Sequence, residues 1–377
     1  MTKTSIEKLA DFGQSAWLDN ISRSLVESGK LNEMIGWGLR GITSNPTIFD
    51  KAIRLSSDYD NKIRELSSAG KSTFEIYDDL TIRDVQAAAD IFKPVYEKTN
   101  GLDGYISLEV NPRLAFEAEE TIEEAERLHK KVNRPNVMFK VPSTEAGFKA
   151  IEELLACGIN VNVTLIFSVE QYIKTAGAFL GGMRRLAQEG GEVSRVRSVA
   201  SVFVSRVDAA VDKILDEQLR KEQAEFAKDE LQSLKGKAAV ANEKLIFHKY
   251  LEIFSSEEFK QLREKGVNLQ RVLWGSTSTK NPEYSDIKYV SELIGKHTVN
   301  TMPEQTLNAF LGHGVVKEAM TADIKEAQDV VKRLKDLRID INDICAQLLR
   351  EGVVAFEKSF ESLLNSIKEK VAQLHKK

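Results

Sequence analysis

Cysteine is scarce: Cys157 and Cys345 are the only two in 377 residues. Both fall in stretches that read as helix ends or interiors, so no disulfide framework is expected and a reducing compartment is the natural setting. Long apolar runs are missing as well. No segment approaches the ~18 consecutive apolar residues needed to span a bilayer. The first seventeen residues, with Lys3, Glu7, Lys8 and Asp11, do not resemble a secretory leader. A cytoplasmic protein without a membrane partner is expected. Charge of one sign is not in excess either: 53 Lys and Arg face 57 Asp and Glu, a formal net charge of −4. No basic field draws nucleic acid, and a phosphorylated ligand would have to rely on a few local cations. His129, His248, His297, His313 and His375 are scattered without metal-ligand spacing, and each reads as a surface or capping residue. The chain has no Gly-x-Gly-x-x-Gly after a strand, no Walker A motif and no Gly-x-Ser-x-Gly. Metal, nucleotide and serine-nucleophile chemistries therefore have no support in the sequence.

What is present is alternation. With 42% hydrophobic and 29% charged residues, the composition is that of a globular protein. No Pro/Gly-rich linker or short-period repeat divides the chain. Strand-like segments lie at Ala16–Asn20, Gly41–Asn45, Gly104–Val110, Val137–Pro142, Ile159–Phe167, Val199–Val204, Val272–Thr277 and Val299–Met302. Amphipathic helical patterns separate most of them. Arg113–Lys131 places Leu114, Ala118, Ile122, Ala125 and Leu128 on one face; Glu145–Cys157 does so with Phe148, Ile151 and Leu155, and Gly158 stands at the stop. Eight strands alternating with helices predict an α/β fold, a (β/α)₈ TIM barrel, with a doubly wound sheet as the alternative. The helical stretch from Val207 to Gly266 reads as an insertion or an extended sixth crossover. Residues 1–377 are expected to form one barrel unit, with 322–377 as two further helices packed over one end of it. A coiled-coil partner is the weaker reading for those helices, because their apolar period is not sustained over enough heptads.

Several strands carry polar residues where core is expected. In Ile159–Phe167 the odd positions are apolar and share one face, while Asn160, Asn162 and Thr164 share the other. Unpartnered buried polar groups are costly, so this row either satisfies itself as a polar core layer or serves a ligand. Recurrence favours the second reading. Asp19, Asn45, Glu109, Lys140 and Ser201 sit at or near the C-terminal ends of five other strands, with Arg206 just beyond the last, and barrel enzymes assemble their sites at that end. Lys140 is the sharpest case, since apolar residues flank it in Val137–Pro142. A strand-edge lysine can snorkel to water. The alternative is a desolvated amine acting as a Schiff-base nucleophile, with Glu109 and Asp19 as proton carriers.

Two stretches resemble the transaldolase family. One is Gly41-Ile42-Thr43-Ser44-Asn45-Pro46-Thr47-Ile48-Phe49. The other is Phe139-Lys140-Val141-Pro142-Ser143-Thr144-Glu145-Ala146-Gly147, followed by Gly158-Ile159-Asn160-Val161-Asn162-Val163-Thr164-Leu165-Ile166-Phe167. The order of strands resembles that family from about Asp19 to Pro303. The resemblance implies a (β/α)₈ barrel without a cofactor, a Schiff base on Lys140, and sugar phosphates as small-molecule partners. It implies that Asp19 deprotonates the C4 hydroxyl, and that Glu109, with a water positioned by Thr164, handles protons in imine formation and hydrolysis. Asn45 and Asn162 would hold hydroxyls of a bound three-carbon unit, Phe203 would face the substrate, and Ser201 and Arg206 would bind phosphate.

The sequence departs from that pattern in the seventh loop. Much of the family has an arginine there as second phosphate cation; here Gly275–Asn281 offers Lys280, a point charge without a bidentate fork. A solvated loop lysine is its competing reading. The long sixth crossover and the C-terminal helices could cover the site or form a subunit contact in a homo-oligomer. A fructose 6-phosphate aldolase that cleaves without transfer, and a sugar-phosphate-binding barrel without chemistry, are the alternatives. Retention of Lys140, Asp19 and Glu109 together argues against the second, because a binder needs no amine in an apolar strand.

Overall fold

In the computed structural model, which describes residues 3–375, eight parallel strands close into a barrel in chain order. They are β1 (Gln14–Asp19), β2 (Gly41–Thr43), β3 (Tyr105–Glu109), β4 (Val137–Pro142), β5 (Val161–Ile166), β6 (Ser198–Phe203), β7 (Arg271–Gly275) and β8 (Thr298–Met302). The outermost residues of the expected 1–377 unit lie outside the described range. The predicted (β/α)₈ architecture is therefore the observed one, and the doubly wound alternative falls because β1 pairs with β8.

Strand parity sorts the side chains into two cores. One set faces the helices. The other set points into the barrel, and it changes character along the barrel axis. Near the N-terminal pole the interior is a separate apolar cluster of Trp17, Tyr105, Met138, Val199, Leu273 and Val299. Two residues further along the same strands stand Asp19, Ser107, Lys140, Ser201, Gly275 and Thr301. The interior thus turns polar toward the C-terminal pole. Close approach at two glycines holds this shape. A Cβ on Gly41 would lie 2.7 Å from the Trp17 ring, and one on Gly147 would lie 1.9 Å from the Pro142 carbonyl oxygen.

Two expectations need correction. The alternation of Ile159–Phe167 does not run to its end. Leu165 adopts φ 62° and the β5–β6 register shifts between Val163 and Ile166, so the odd positions no longer share one face beyond Val163. The freed Leu165 carbonyl accepts from Ser143 Oγ (2.9 Å) and Gln171 Nε2 (3.3 Å). Arg113–Lys131 is not one helix: a 3₁₀ turn at Pro112–Leu114 precedes a helix at Ala118–Val132, so Leu114 lies off the helical face. Thr121 Oγ1 donates to the Leu114 carbonyl and fixes the break. Of the two readings of Val207–Gly266, the extended sixth crossover is the observed one: between β6 and β7 lie four helices, Ser205–Leu219, Glu225–Leu234, Ala238–Phe254 and Glu257–Glu264.

Of the two C-terminal helices, Ile341–Leu374 reaches the polar end of the barrel through Phe356, while Ile324–Asp336 packs against the helix Ala238–Phe254. Helix Ile341–Leu374 is fastened to helix Pro46–Leu55 by side chains. Asp50 accepts from Ser362 (3.0 Å) and Ser366 (2.6 Å), and Thr47 donates to Ser359 (2.9 Å); Lys370 pairs with Asp60 (2.6 Å) on the following helix, Asp60–Ser68. Phe360 sets its edge against Tyr77 at 5.1 Å. Among the described residues no helix is long and apolar enough to cross a membrane.

Candidate active site

Lys140 projects into the barrel from the middle of β4 and is 5% exposed. Its Nζ donates to the Ser44 carbonyl at 3.0 Å. Among the described residues it forms no ion pair within 4 Å, although two carboxylates share its surroundings. Glu109, the last residue of β3, is its partner in register across the β3–β4 ladder. Asp19, the last residue of β1, borders the same cavity. The snorkelling alternative therefore fails for Lys140: its amine is held inside the barrel.

The two carboxylates differ in their support. Asp19 Oδ1 accepts from Thr43 Oγ1 (2.8 Å), and that hydroxyl in turn contacts Thr301 Oγ1 at 2.6 Å. Burial pushes the Asp19 carboxyl above its ordinary range, against the opposing pull of Lys140 and the Thr43 hydrogen bond. Glu109 is 6% exposed, and neither of its oxygens has a hydrogen-bond partner among the described residues. Burial pushes it up to about 7; Lys140 works against the shift and Asp19 adds to it. Thr164 Oγ1, on β5, is likewise buried without a partner. Buried polar atoms of this kind are rare in folded proteins and mark places where a ligand, a water or a proton is to be handled.

A cavity of about 320 Å³ opens at this pole, lined among others by Asp19, Asn45, Lys140, Ser201, Phe203 and Arg206. Lys280 also reaches it, its Nζ donating to Ser278 Oγ at 2.7 Å. Asn45 caps the helix Pro46–Leu55, accepting from the Ile48 amide through Oδ1 (3.1 Å), which leaves its amide nitrogen for the cavity. Arg206 has no ion pair or side-chain hydrogen bond among the described residues. It stacks over the Phe203 ring at 5.4 Å, and burial lowers its pKa.

Asn162 does not reach the cavity wall. It is fully buried, donating to Ser107 Oγ (3.0 Å) and accepting from Ser201 Oγ (2.6 Å). The polar-layer reading therefore describes Asn162, and the same holds for Asn160, which donates to the Pro135 and Val137 carbonyls. Because Ser201 gives its proton to Asn162, it turns only lone pairs toward the cavity. Glu109 and Thr164 also lie off the main wall. Glu109 borders a small adjoining recess of about 10 Å³ with Pro142, Leu165 and Phe356.

Among the wall residues that sequence reasoning missed, Phe356 and Lys51 bear most on the chemistry. Phe356, on helix Ile341–Leu374, lines the cavity and meets Phe203 at 6.4 Å; Phe203 meets Phe167 at 5.6 Å. Lys51, one turn along from Thr47 and Ile48, adds a cation to the rim. Lys51 stood within one turn of the Asn45 motif and could have been found there; nothing in the sequence singled out Phe356. Among the described residues no group of three His, Cys, Asp or Glu side chains is arranged to hold a metal ion.

Residues 16–367 match the sequence pattern of the Transaldolase/Fructose-6-phosphate aldolase family. The chain is 47% identical over 377 residues to a transaldolase of Trichodesmium erythraeum, covering 99% of each chain. It is 46% identical over 374 residues to a transaldolase of Saccharopolyspora erythraea, again across 99% of each. A protein named transaldolase 2 in a Nostoc species is 44% identical over 371 residues, 97% of each.

Proposed function

The chain belongs to the transaldolase/fructose-6-phosphate aldolase family, and from that premise we propose that Lys140 is its Schiff-base lysine. It is an enzyme of transferase type, with transaldolase-type chemistry on small sugar phosphates. The proposed reaction takes a dihydroxyacetone unit from sedoheptulose 7-phosphate or fructose 6-phosphate. It passes that unit to glyceraldehyde 3-phosphate or erythrose 4-phosphate, a step of the non-oxidative pentose phosphate pathway. The observation that carries the reading is a buried amine at the mouth of one barrel with a buried carboxylate, Glu109, and a half-buried one, Asp19, at the same pole, both pushed above their ordinary range by burial.

The neutral amine of Lys140 attacks the C2 carbonyl of the ketose. The resulting carbinolamine loses its hydroxyl as water, and Glu109 is the group to supply that proton. A carboxyl near pKa 7 gives and takes protons at neutral pH with little penalty, which suits imine formation and its reversal. Asp19 then takes the proton of the C4 hydroxyl. The C3–C4 bond breaks, its electron pair passes to the iminium as an enamine, and an aldose phosphate leaves. Attack of the enamine C3 on the incoming aldehyde, followed by hydrolysis, frees the new ketose and the amine. Arg206 is the principal phosphate contact, with Lys280 and Lys51 as further cations on the rim. Asn45 holds a hydroxyl of the three-carbon unit, while Asn162 acts from behind by fixing Ser201. Helix Ile341–Leu374 belongs to the same catalytic unit, because Phe356 closes one wall.

Borohydride reduction in the presence of fructose 6-phosphate, read by peptide mass spectrometry, tests the assignment. One adduct on Lys140 is expected, absent from a folded Lys140→Met variant. An adduct that persists in that variant overturns it. Free dihydroxyacetone released as fast as fructose 6-phosphate is consumed would instead identify a simple aldolase.

A further inference from the structure

The opposite pole of the barrel holds a second cavity, of about 160 Å³, and its chemistry is unlike that of a structural end cap. Its floor is the apolar interior, where Met138 and Val199 emerge, and its walls carry Arg197, Arg263 and Arg271 together with His297. No Asp or Glu lines it.

One carboxylate lies nearby, and it is already committed. Asp103 Oδ1 accepts from Arg271 Nη2 (2.8 Å), while Oδ2 accepts from Ser15 Oγ (2.8 Å). Arg271 also donates to Ser15 Oγ and to the Leu102 carbonyl, so this pair is a closed structural unit. Arg197 is anchored on the same turn. Its Nη2 donates to the Asn100 carbonyl (3.1 Å) and its Nη1 to those of Ser194 (2.5 Å) and Val196 (3.1 Å). Neutral carbonyls satisfy its donors without balancing its charge. Arg263, at the end of helix Glu257–Glu264, has no ion pair or side-chain hydrogen bond among the described residues. Burial holds Arg197 below its usual pKa and Arg271 adds to the effect; His297 is lowered by burial, Arg271, Lys296 and Arg263. Arg271 is neutralised by Asp103, but Arg197 and Arg263 face the same hollow with no ion pair among the described residues, an arrangement that favours an anion.

We propose that this N-terminal-pole cavity is a binding site for a small phosphate-type anion, held by Arg263 and Arg197 with Arg271 behind them. The site is separate from the barrel mouth and does not depend on the reaction assigned there. Its volume suits a single phosphate group rather than a whole sugar phosphate. Arg263, exposed and without a partner among the described residues, offers its guanidinium to the anion, whereas Arg197 and Arg271 are held by hydrogen bonds.

Inorganic phosphate is the probe, titrated calorimetrically at constant ionic strength into full-length protein carrying Arg206→Ala, which weakens binding at the mouth. Saturable binding is expected to survive in that background. Adding Arg263→Ala should weaken it about tenfold or more, the loss of one charge-assisted hydrogen bond, and Arg263→Lys should restore part of it. Arg263 is exposed, so its variants are expected to keep the fold, and matched melting curves without phosphate check this. Phosphate should also raise the melting temperature of the Arg206→Ala protein and lose that effect with Arg263→Ala. No saturable binding in the Arg206→Ala background, or an affinity that Arg263→Ala leaves unchanged, overturns the proposal.

Discussion

Glu109 should make the wild-type protein less stable as the pH rises, and the size of the effect follows from its surroundings. Both carboxylate oxygens are buried without partners, and burial lifts the group from 4.5 to about 7. Between those two values the folded state holds the proton more tightly than the unfolded chain does. The stabilising contribution is complete below about pH 4.5 and is lost progressively as pH climbs to 7, after which the penalty for a buried charge is constant. A shift of roughly 2.5 units at about 1.4 kcal/mol each amounts to ~3 kcal/mol. Glu109→Gln keeps the shape and removes the titration. Relative to wild type it should therefore gain about 2–3 kcal/mol between pH 5 and pH 8. Urea unfolding of both proteins at the two pH values isolates this quantity, because every other titrating group is common to both. A stability difference that is the same at pH 5 and pH 8 refutes the assignment of a raised, uncompensated carboxyl. The same variant should form the Schiff base slowly, so stability gained and activity lost would arise from one side chain.

The other side chains of the site make separable predictions. Asp19→Ala should still trap a borohydride adduct with fructose 6-phosphate but fail to cleave it, whereas loss of the adduct would move Asp19 to an earlier step. Arg206→Ala should lower kcat/KM for fructose 6-phosphate by roughly 10- to 100-fold, the worth of a charge-assisted contact, while barely changing that for unphosphorylated fructose; equal losses would point to its packing on Phe203. Phe356→Ala opens the wall beside Phe203 to water, so dihydroxyacetone release without acceptor should rise relative to transfer. An unchanged partition would mean that Phe203 alone keeps the enamine dry.

The barrel was legible because its strands carry their own punctuation. Both ends of β4 were readable, since Val137 opens an apolar run and Pro142 closes it ahead of the helix cap at Thr144. The break in β5 was not. Its alternating residues continue through Phe167, and the bulge at Leu165 comes from the tertiary demands of Ser143 and Gln171 on its carbonyl. The split at Ala115–Glu117 was hidden for a similar reason. Leu114 has the right spacing for the helical face, and only the bond from Thr121 shows that the chain turns there first.

The site itself was read by parity, and parity has a definite blind spot. A period of two tells which face of a strand a residue occupies, so Asp19, Glu109, Lys140, Asn162, Thr164 and Ser201 could all be assigned to the interior. It does not tell how high along the barrel axis each one stands, because height depends on how the closed strands are staggered. Asn162 is the instructive case. It is the register partner of Lys140, yet Ser107 and Ser201 engage it from both sides and take it out of the cavity. Phe356 shows the complementary limit. On its own helix it reads as one apolar residue among many, and what brings it to Phe203 is the docking of that helix through Asp50, Thr47 and Lys370. Strand periodicity can find residues that the barrel itself positions. It cannot find a residue carried in by a separate helix, so the water-excluding part of a barrel site is less legible than its nucleophile.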